Sequence, residues 1–466
     1  MDIVKLLLPN LGYKIPKFCF RNCLELTTIT IPSTVTTICE SAFDGCKSLT
    51  TVVIPESVTC IENAAFQKCR SLKHIDLPPS IDLIEDFAFY SCSSLEKFTI
   101  PPKVTKISSN TFCFCSSLVQ VDIPSSVTII EEEAFDGCSS LKQITIPTSV
   151  TEIGEKCFKG CSSLDQMDFP TSVKVIKDEA LSNCTSLKKI EISSSVDEIG
   201  FAVFKGCISL EEVVFHAKTD TINVEMFKGC KALKSFTINA SITKIEDRAF
   251  AECESLKTIE IPSSVTEIGF AVFNGCISLE EVAFHAKTDT INVEMFKGCK
   301  ALKSFTINTS ITRIEEDAFA ECESLETIEI PSSVTSIGSN AFKECLSLVK
   351  IEFPSSLTKI NDGTCQDCSS LTEIKIPDSV TVIGNFAFSG CESLEKIPIS
   401  SSVTEIGEEA FYECLSVTEI SVPASVTTIG KRAFGKCSSL KEITIPSSFN
   451  QRSIGVCSKK IKVTKI

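Results

Sequence analysis

The chain of 466 residues contains no tryptophan, three tyrosines and three histidines. Without tryptophan and with so little tyrosine, the aromatic side chains that usually anchor binding hot spots are scarce. The histidines, His74, His216 and His285, are too isolated in sequence to nominate a catalytic triad or a metal site, and each falls where solvent exposure is expected. Basic residues are outnumbered: 45 Lys+Arg against 60 Asp+Glu give a formal charge of −15. That excess repels nucleic acid and anionic lipid, so neither is expected as a partner. No apolar run approaches the roughly 18 residues that a membrane helix needs, and no membrane insertion is expected. The opening segment Met1-Asp2-Ile3-Val4-Lys5-Leu6-Leu7-Leu8-Pro9 has an acidic second residue and an apolar stretch too short for a secretory signal. On that ground a cytoplasmic location is the alternative to export.

What the chain has is repetition. A cysteine occupies position 23 and every further multiple of 23 up to 437, nineteen in all, with no insertion. A fixed period of this length means that each period is one structural unit stacked on the next. The organising stretch is Ala42-Phe43-Asp44-Gly45-Cys46, with Leu49 three residues on. A full repeat reads Leu26-x-x-Ile29-x-Ile31-Pro32-x-x-Val35-x-x-Ile38-x-x-x-Ala42-Phe43-x-x-Cys46. Apolar positions at Leu26, Ile29 and Ile31 suit a short strand, ended by Pro32, which cannot donate to a ladder. Val35-Thr36-Thr37-Ile38 suits a second, shorter extended piece, and 41–46 about one helical turn that closes the coil.

The slots hold along the chain. Isoleucine fills the slot of Ile38 in eighteen successive repeats, and phenylalanine fills that of Phe43 in seventeen of nineteen, with Leu181 and Cys365 as exceptions. The interior is therefore expected to consist of parallel ladders of identical side chains. The nineteen periodic cysteines are expected to be inward-facing, reduced structural thiols, since free cysteine is among the most buried residue types. One repeat cannot offset the entropy of ordering its own residues, at about 1–2 kcal/mol each, so stability must come from interfaces between neighbours.

The whole chain, 1–466, is expected to be a single solenoid of about 20 repeats. Residues 1–25 form an N-terminal partial repeat, with Ile3-x-x-Leu6-x-Leu8-Pro9 in phase and no polar cap, and end-to-end self-association is expected there. Residues 447–466 form a degenerate C-terminal repeat. By counting, Arg452 falls in the isoleucine slot, Cys457 in the phenylalanine slot and Lys460 in the cysteine slot, while Val463 and Ile466 are in phase as a new strand. Lys459, Lys462 and Lys465 crowd this edge, a common way to blunt strand pairing. Residues 200–268 and 269–337 differ at only eight positions, so a three-repeat cassette is duplicated. Each copy carries His-Ala-Lys-Thr-Asp-Thr-Ile, at 216–222 and 285–291, where other repeats have Pro-Ser-Ser-Val-Thr.

The pattern Leu-x-x-Ile-x-Ile-Pro-x-x-Val-Thr-x-Ile-Gly-x-x-Ala-Phe-x-x-Cys, nearly complete from Leu141 to Cys161, resembles the BspA-like, Treponema-type leucine-rich repeats over essentially the whole chain. The resemblance implies an α/β repeat solenoid: a right-handed leucine-rich repeat superhelix with a parallel concave sheet, and short extended segments and one-turn helices on the other side. It also implies a cell-surface or secreted adhesion or antigen protein that binds host matrix or cell-surface proteins.

Other constellations are absorbed by their slots. Gly430-Lys431-Arg432-Ala433-Phe434-Gly435-Lys436-Cys437 nearly matches a phosphate-binding loop but has cysteine where the metal-binding hydroxyl belongs. Cys365-Gln366-Asp367-Cys368 is a lone pair that cannot close a tetrahedral zinc site. No cofactor, metal or catalytic residue is expected. Asn183-Cys184-Thr185, Asn239-Ala240-Ser241 and Asn308-Thr309-Ser310 match the glycosylation pattern. Asn239 and Asn308 are accessible at a strand-ending turn, whereas Asn183 sits beside a buried cysteine slot. Candidate protein-binding positions lie between the buried strand positions: Lys73, His74 and Asp76, and the acidic set Glu211, Glu212, Glu260, Glu280, Glu281, Glu326 and Glu329. The function expected is a non-enzymatic protein-binding scaffold, with a cytosolic interaction or regulatory scaffold as the alternative to a surface adhesin.

Overall fold

The computed structural model describes residues 12–458 and 460–466. The in-phase segment at residues 3–9, with the self-association expected of it, and Lys459 lie outside the described residues. The chain divides into two compact units, Met1–Thr219 with Asn223–Leu233, and Asp220–Ile222 with Lys234–Ile466. Each is a parallel-strand β-solenoid with the leucine-rich repeat fold.

Every coil contributes three columns. In the first, strands such as Thr28–Thr30 and Thr51–Val53 pair in parallel, Ile29 opposite Val52. In the second, two-residue strands such as Thr37–Ile38, Cys60–Ile61 and Leu83–Ile84 pair with Ile38 opposite Ile61 and Ile61 opposite Ile84. Residues one period apart therefore face one another, which is the physical meaning of the sequence repeat. Proline shapes the bend between columns: Val35 N–H donates to Pro32 O at 3.0 Å, and Val58 N–H to Pro55 O at 3.1 Å. Where His216 and His285 replace proline, their N–H groups donate to Ile192 O (2.8 Å) and Ile261 O (2.9 Å). Proline has no N–H for that bond.

The third column closes the coil. Ala42, Asp44 and Cys46 donate N–H groups to Cys39, Ser41 and Phe43 carbonyls, each at 3.1 Å, within their own coil. The intervening Ser41, Phe43 and Gly45 donate to Asn63, Ala65 and Gln67 carbonyls of the next coil, at 2.9, 2.8 and 2.8 Å. Alternate peptides thus point within and between coils, and each buried donor is satisfied. The reversal is supplied by left-handed residues in two fixed slots, for example Ser41 (φ 53°) and Gly45 (φ 75°), then Ala64 (54°) and Lys68 (58°). The single closing turn is thus a chain of i to i+3 turns, and no helix occurs among the described residues.

Inside, Phe43, Cys46, Leu49 and Ile38 and most of their counterparts are buried; the first periodic cysteine, Cys23, expected inward, is half-buried, as is Ile429. In the first unit the rings of Phe20, Phe43, Phe66, Phe89, Phe112, Phe135 and Phe158 stack in succession at 5.1–5.9 Å, near parallel. In the second unit Phe250 to Phe342 form such a stack, as do Phe388, Phe411 and Phe434. Leu181 and Cys365 occupy the same slot without a ring and are also buried.

The C-terminal coil departs from the counted phase. Glu442 pairs with Lys462 and Ile443 with Val463, an offset of 20 residues rather than 23. The coil is three residues short, so Val463 aligns with Ile443 and not with Leu440. Ile454 and Val456 supply the buried apolar contacts, while Arg452, Cys457 and Lys460, assigned to inward slots by counting, are exposed. Shortening keeps charged side chains out of the core and still provides a last strand, on which Lys462 and Lys465 are exposed.

Replacing Phe135 with alanine is expected to cost about 3–5 kcal/mol, whereas leucine, the natural occupant at Leu181, costs less. Urea unfolding of the two variants checks the order; equal midpoints for both and the parent contradict a supporting role for the stack.

Candidate protein-binding face

Alternation along the first-column strands separates two kinds of position. Lys97-Phe98-Thr99, Thr327-Ile328-Glu329 and Lys350-Ile351-Glu352 each bury only the middle side chain. The buried position stays apolar; the exposed ones change from coil to coil.

The candidate residues fall on this exposed face in both units. In the first, His74 Nε2 lies 2.8 Å from Asp76 Oδ1, and Lys73 lies 4.0 Å from Glu96. Glu211 and Glu212 are exposed on a separate part of the same unit, Glu212 pairing with Lys189 at 2.8 Å. In the second unit, Thr258–Ile261 and Glu281–Phe284 are adjacent strands, with Glu281 opposite Thr258 and Glu260 opposite Ala283. Glu280 reaches Lys303 at 3.8 Å, and Glu329 lies opposite Thr306. Glu326 is exposed immediately before the strand Thr327–Glu329 begins. Lysines on neighbouring strands thus break up the acidic set into a mixed-charge face. With Glu212 and Glu280 so paired, these strands do not offer the converging carboxylates of a calcium site. Exposed ion pairs of this kind add little stability, which leaves the face free to vary.

The glycosylation-pattern residues differ from one another. Asn239 and Asn308 are half-buried, and their side-chain oxygens accept from Ser241 N–H and Ser310 N–H, both at 3.0 Å. Asn308 Nδ2, the atom that would carry a sugar, donates to Ala286 O at 3.3 Å. Asn183, expected to be shielded by its neighbour Cys184, is exposed, because its left-handed backbone (φ 60°) turns it outward.

The cysteine ladder has a distinct chemical role. Ladder thiols donate to the carbonyl of the residue in the phenylalanine slot of the preceding coil: Cys46 to Phe20 O at 2.9 Å, Cys138 to Phe112 O at 3.1 Å, Cys391 to Cys365 O at 3.2 Å. The carbonyl already accepts a backbone N–H, as Phe20 O does from Cys23 at 3.1 Å. A small apolar side chain with one weak donor fits this position. Burial pushes the thiols of Cys46, Cys92, Cys207, Cys276 and Cys437 up to about 12. They stay protonated and unreactive at neutral pH. Cys365 and Cys368 are buried members of the same interior, Cys368 donating to Phe342 O at 3.1 Å. In the stretch 430–437, Phe434 and Cys437 are buried and Lys436 is held by Glu413 at 2.6 Å, so it is an ordinary coil-closing turn.

Sequence reasoning missed Cys113, a buried thiol outside the periodic ladder. Its signal was present: Glu133 and Asp136 follow at 20 and 23 residues, the separations at which closing turns of successive coils meet.

Together the three parallel columns and the one-period register define a leucine-rich repeat solenoid. The model of the BspA type leucine rich repeat region (6 copies) matches residues 13–142, 129–257, 243–372 and 358–466, and the chain belongs to that family. A leucine-rich repeat protein from Bacteroides ovatus is similar in structure, with 28% identity, TM-score 0.51, and coverage of 94% of this chain and 92% of that one. A leucine rich cell surface protein from Faecalibacterium prausnitzii is 29% identical, with TM-score 0.48 over 75% of this chain and 87% of that one. A search of curated protein sequences found no match.

Alkylation of the native protein at pH 8 is expected to modify the exposed Cys457 first and to spare the buried ladder thiols from Cys46 to Cys437, which become reactive on denaturation. Peptide mass mapping counts the modified sites; native labelling of Cys138 or Cys276 contradicts the assignment.

Proposed function

We propose that the protein is a non-enzymatic protein-binding scaffold, and that its variable strand face is the contact surface. The observation that carries this is the division of labour along each strand: invariant apolar positions inward, changing polar and charged positions outward. A solenoid selects a partner through such a face while its interior stays constant. Lys73, His74 and Asp76 in the first unit, and Glu260, Glu280, Glu281, Glu326 and Glu329 in the second, with Glu211 and Glu212, are the proposed contact positions. The mixed charges suit a protein partner bearing both signs. Membership of the BspA-type family supports a cell-surface adhesin or antigen acting on host matrix or cell-surface proteins. Asn239 and Asn308 are proposed as modification sites only in a host with a glycosylation machinery.

Binding of the purified chain to immobilised extracellular-matrix proteins tests the face. Charge reversal at Lys73 and Asp76, or at Glu260 and Glu281, is expected to weaken binding by at least about tenfold with the melting temperature unchanged. Loss of binding on mutating the closing turns, with the face variants unaffected, contradicts the assignment. Labelling intact cells with a membrane-impermeant reagent tests location: failure to label removes the adhesin reading and leaves an intracellular scaffold.

A further inference from the structure

Side chains 20 residues apart meet between the closing turns of some successive coils. In three coils the first is a lysine and the second an acid bonded to it, whereas Lys228 turns to Glu225 and Lys343 to Glu344. Lys159 holds Glu179 at 2.6 Å, Lys205 holds Glu225 at 2.6 Å and Lys297 holds Asp317 at 3.0 Å. Asn274 likewise donates to Glu294 at 3.3 Å.

At one coil the same position holds a thiol. The position equivalent to the lysine is Cys113, and the residues it meets are Glu133 and Asp136. The Cys113 sulfur and one oxygen from each carboxylate lie within 4.8 Å of one another. Cys113 is 1% exposed. Unlike the ladder thiols, it has no hydrogen-bond partner among the described residues. Neither carboxylate has an ion pair among the described residues, because the nearest ammonium groups are engaged elsewhere, Lys156 with Glu155 and Lys159 with Glu179. Tyr90 and Phe114, whose rings meet at 5.8 Å, flank the group.

The geometry points to a divalent cation site formed by Cys113, Glu133 and Asp136. One sulfur and two carboxylate oxygens suit a borderline-soft ion of the zinc class better than calcium or magnesium, which take oxygen ligands alone. Tetrahedral zinc with bonds of about 2.0–2.3 Å sets ligand atoms roughly 3.3–3.7 Å apart, so the three atoms close on the ion by about an ångström of side-chain rotation. The fourth position is left to solvent. Binding releases the thiol proton to water and leaves a thiolate and two carboxylates around the dication. Cys113 and the Glu133–Asp136 turn belong to consecutive coils, so the ion pins one coil to the next. This proposal is independent of the protein-binding reading.

Cobalt(II) titration of the metal-stripped full chain tests it, in a Cys457→Ser background that removes the exposed thiol. The expected result is a single equivalent bound with a sulfur-to-cobalt charge-transfer band, displaced by zinc and lost in Cys113→Ser, together with a zinc-dependent rise in melting temperature. Absence of the band in the parent, or its persistence in Cys113→Ser, overturns the proposal. Should Cys113→Ser fail to fold, Glu133→Gln with Asp136→Asn decides, since both side chains are half-exposed. Loss of cobalt affinity in that variant supports the site; unchanged affinity overturns it.

Discussion

Everything in the molecule depends on one constraint: each coil must present its backbone donors and acceptors where the next coil can use them. The closing turns meet it by alternation. Ala42, Asp44 and Cys46 bond within their coil, and Ser41, Phe43 and Gly45 bond to the next. A buried peptide group without a partner costs free energy comparable to a lost hydrogen bond, so an inserted or deleted residue would leave several groups unpaired in both neighbours. That is the physical reason for an uninterrupted period of 23. The end of the chain shows the same logic: the final coil drops three residues, yet its strand restores parallel pairing with Glu442–Ile445.

The side-chain ladders follow from the backbone. Once equivalent residues are held one coil apart, identical side chains stack, and phenylalanine rings near 5.5 Å gain contact with two neighbours at once. The cysteine fills the remaining gap and gives its weak donor to a carbonyl that already accepts one bond. Left-handed non-glycine residues such as Lys68, Phe114 and Glu133 carry backbone strain, which is tolerated because the coils on either side over-determine the turn.

Most of this was legible in the sequence where it depended on slot identity. The buried phenylalanine, cysteine, leucine and isoleucine positions follow from counting, and so does the parallel register of one period. What counting could not see is conformation without a residue signature. Left-handed slots are occupied by serine, alanine, lysine, phenylalanine and glutamate as well as glycine, so no composition marks them. Counting also placed Cys457 inside, because a phase carried forward does not register a shortened coil. At the candidate face, exposure was predictable from alternation, but the lysine partners of Glu212 and Glu280 depend on side-chain reach between coils. The acids around Cys113 escaped notice for a related reason: they become neighbours only when separations of 20 and 23 residues are both converted into contacts.

The repeats therefore divide into a constant part that satisfies the backbone and a variable part available for recognition, and the first makes the second possible. Native-state hydrogen exchange, read at individual amides, tests this most directly. The account predicts that the amides of Phe43, Phe66, Phe135 and Phe158, which bond across coils, are as protected as those in the strands and are released only when blocks of coils open together. Fast exchange at these four amides, with the strands still protected, would contradict it.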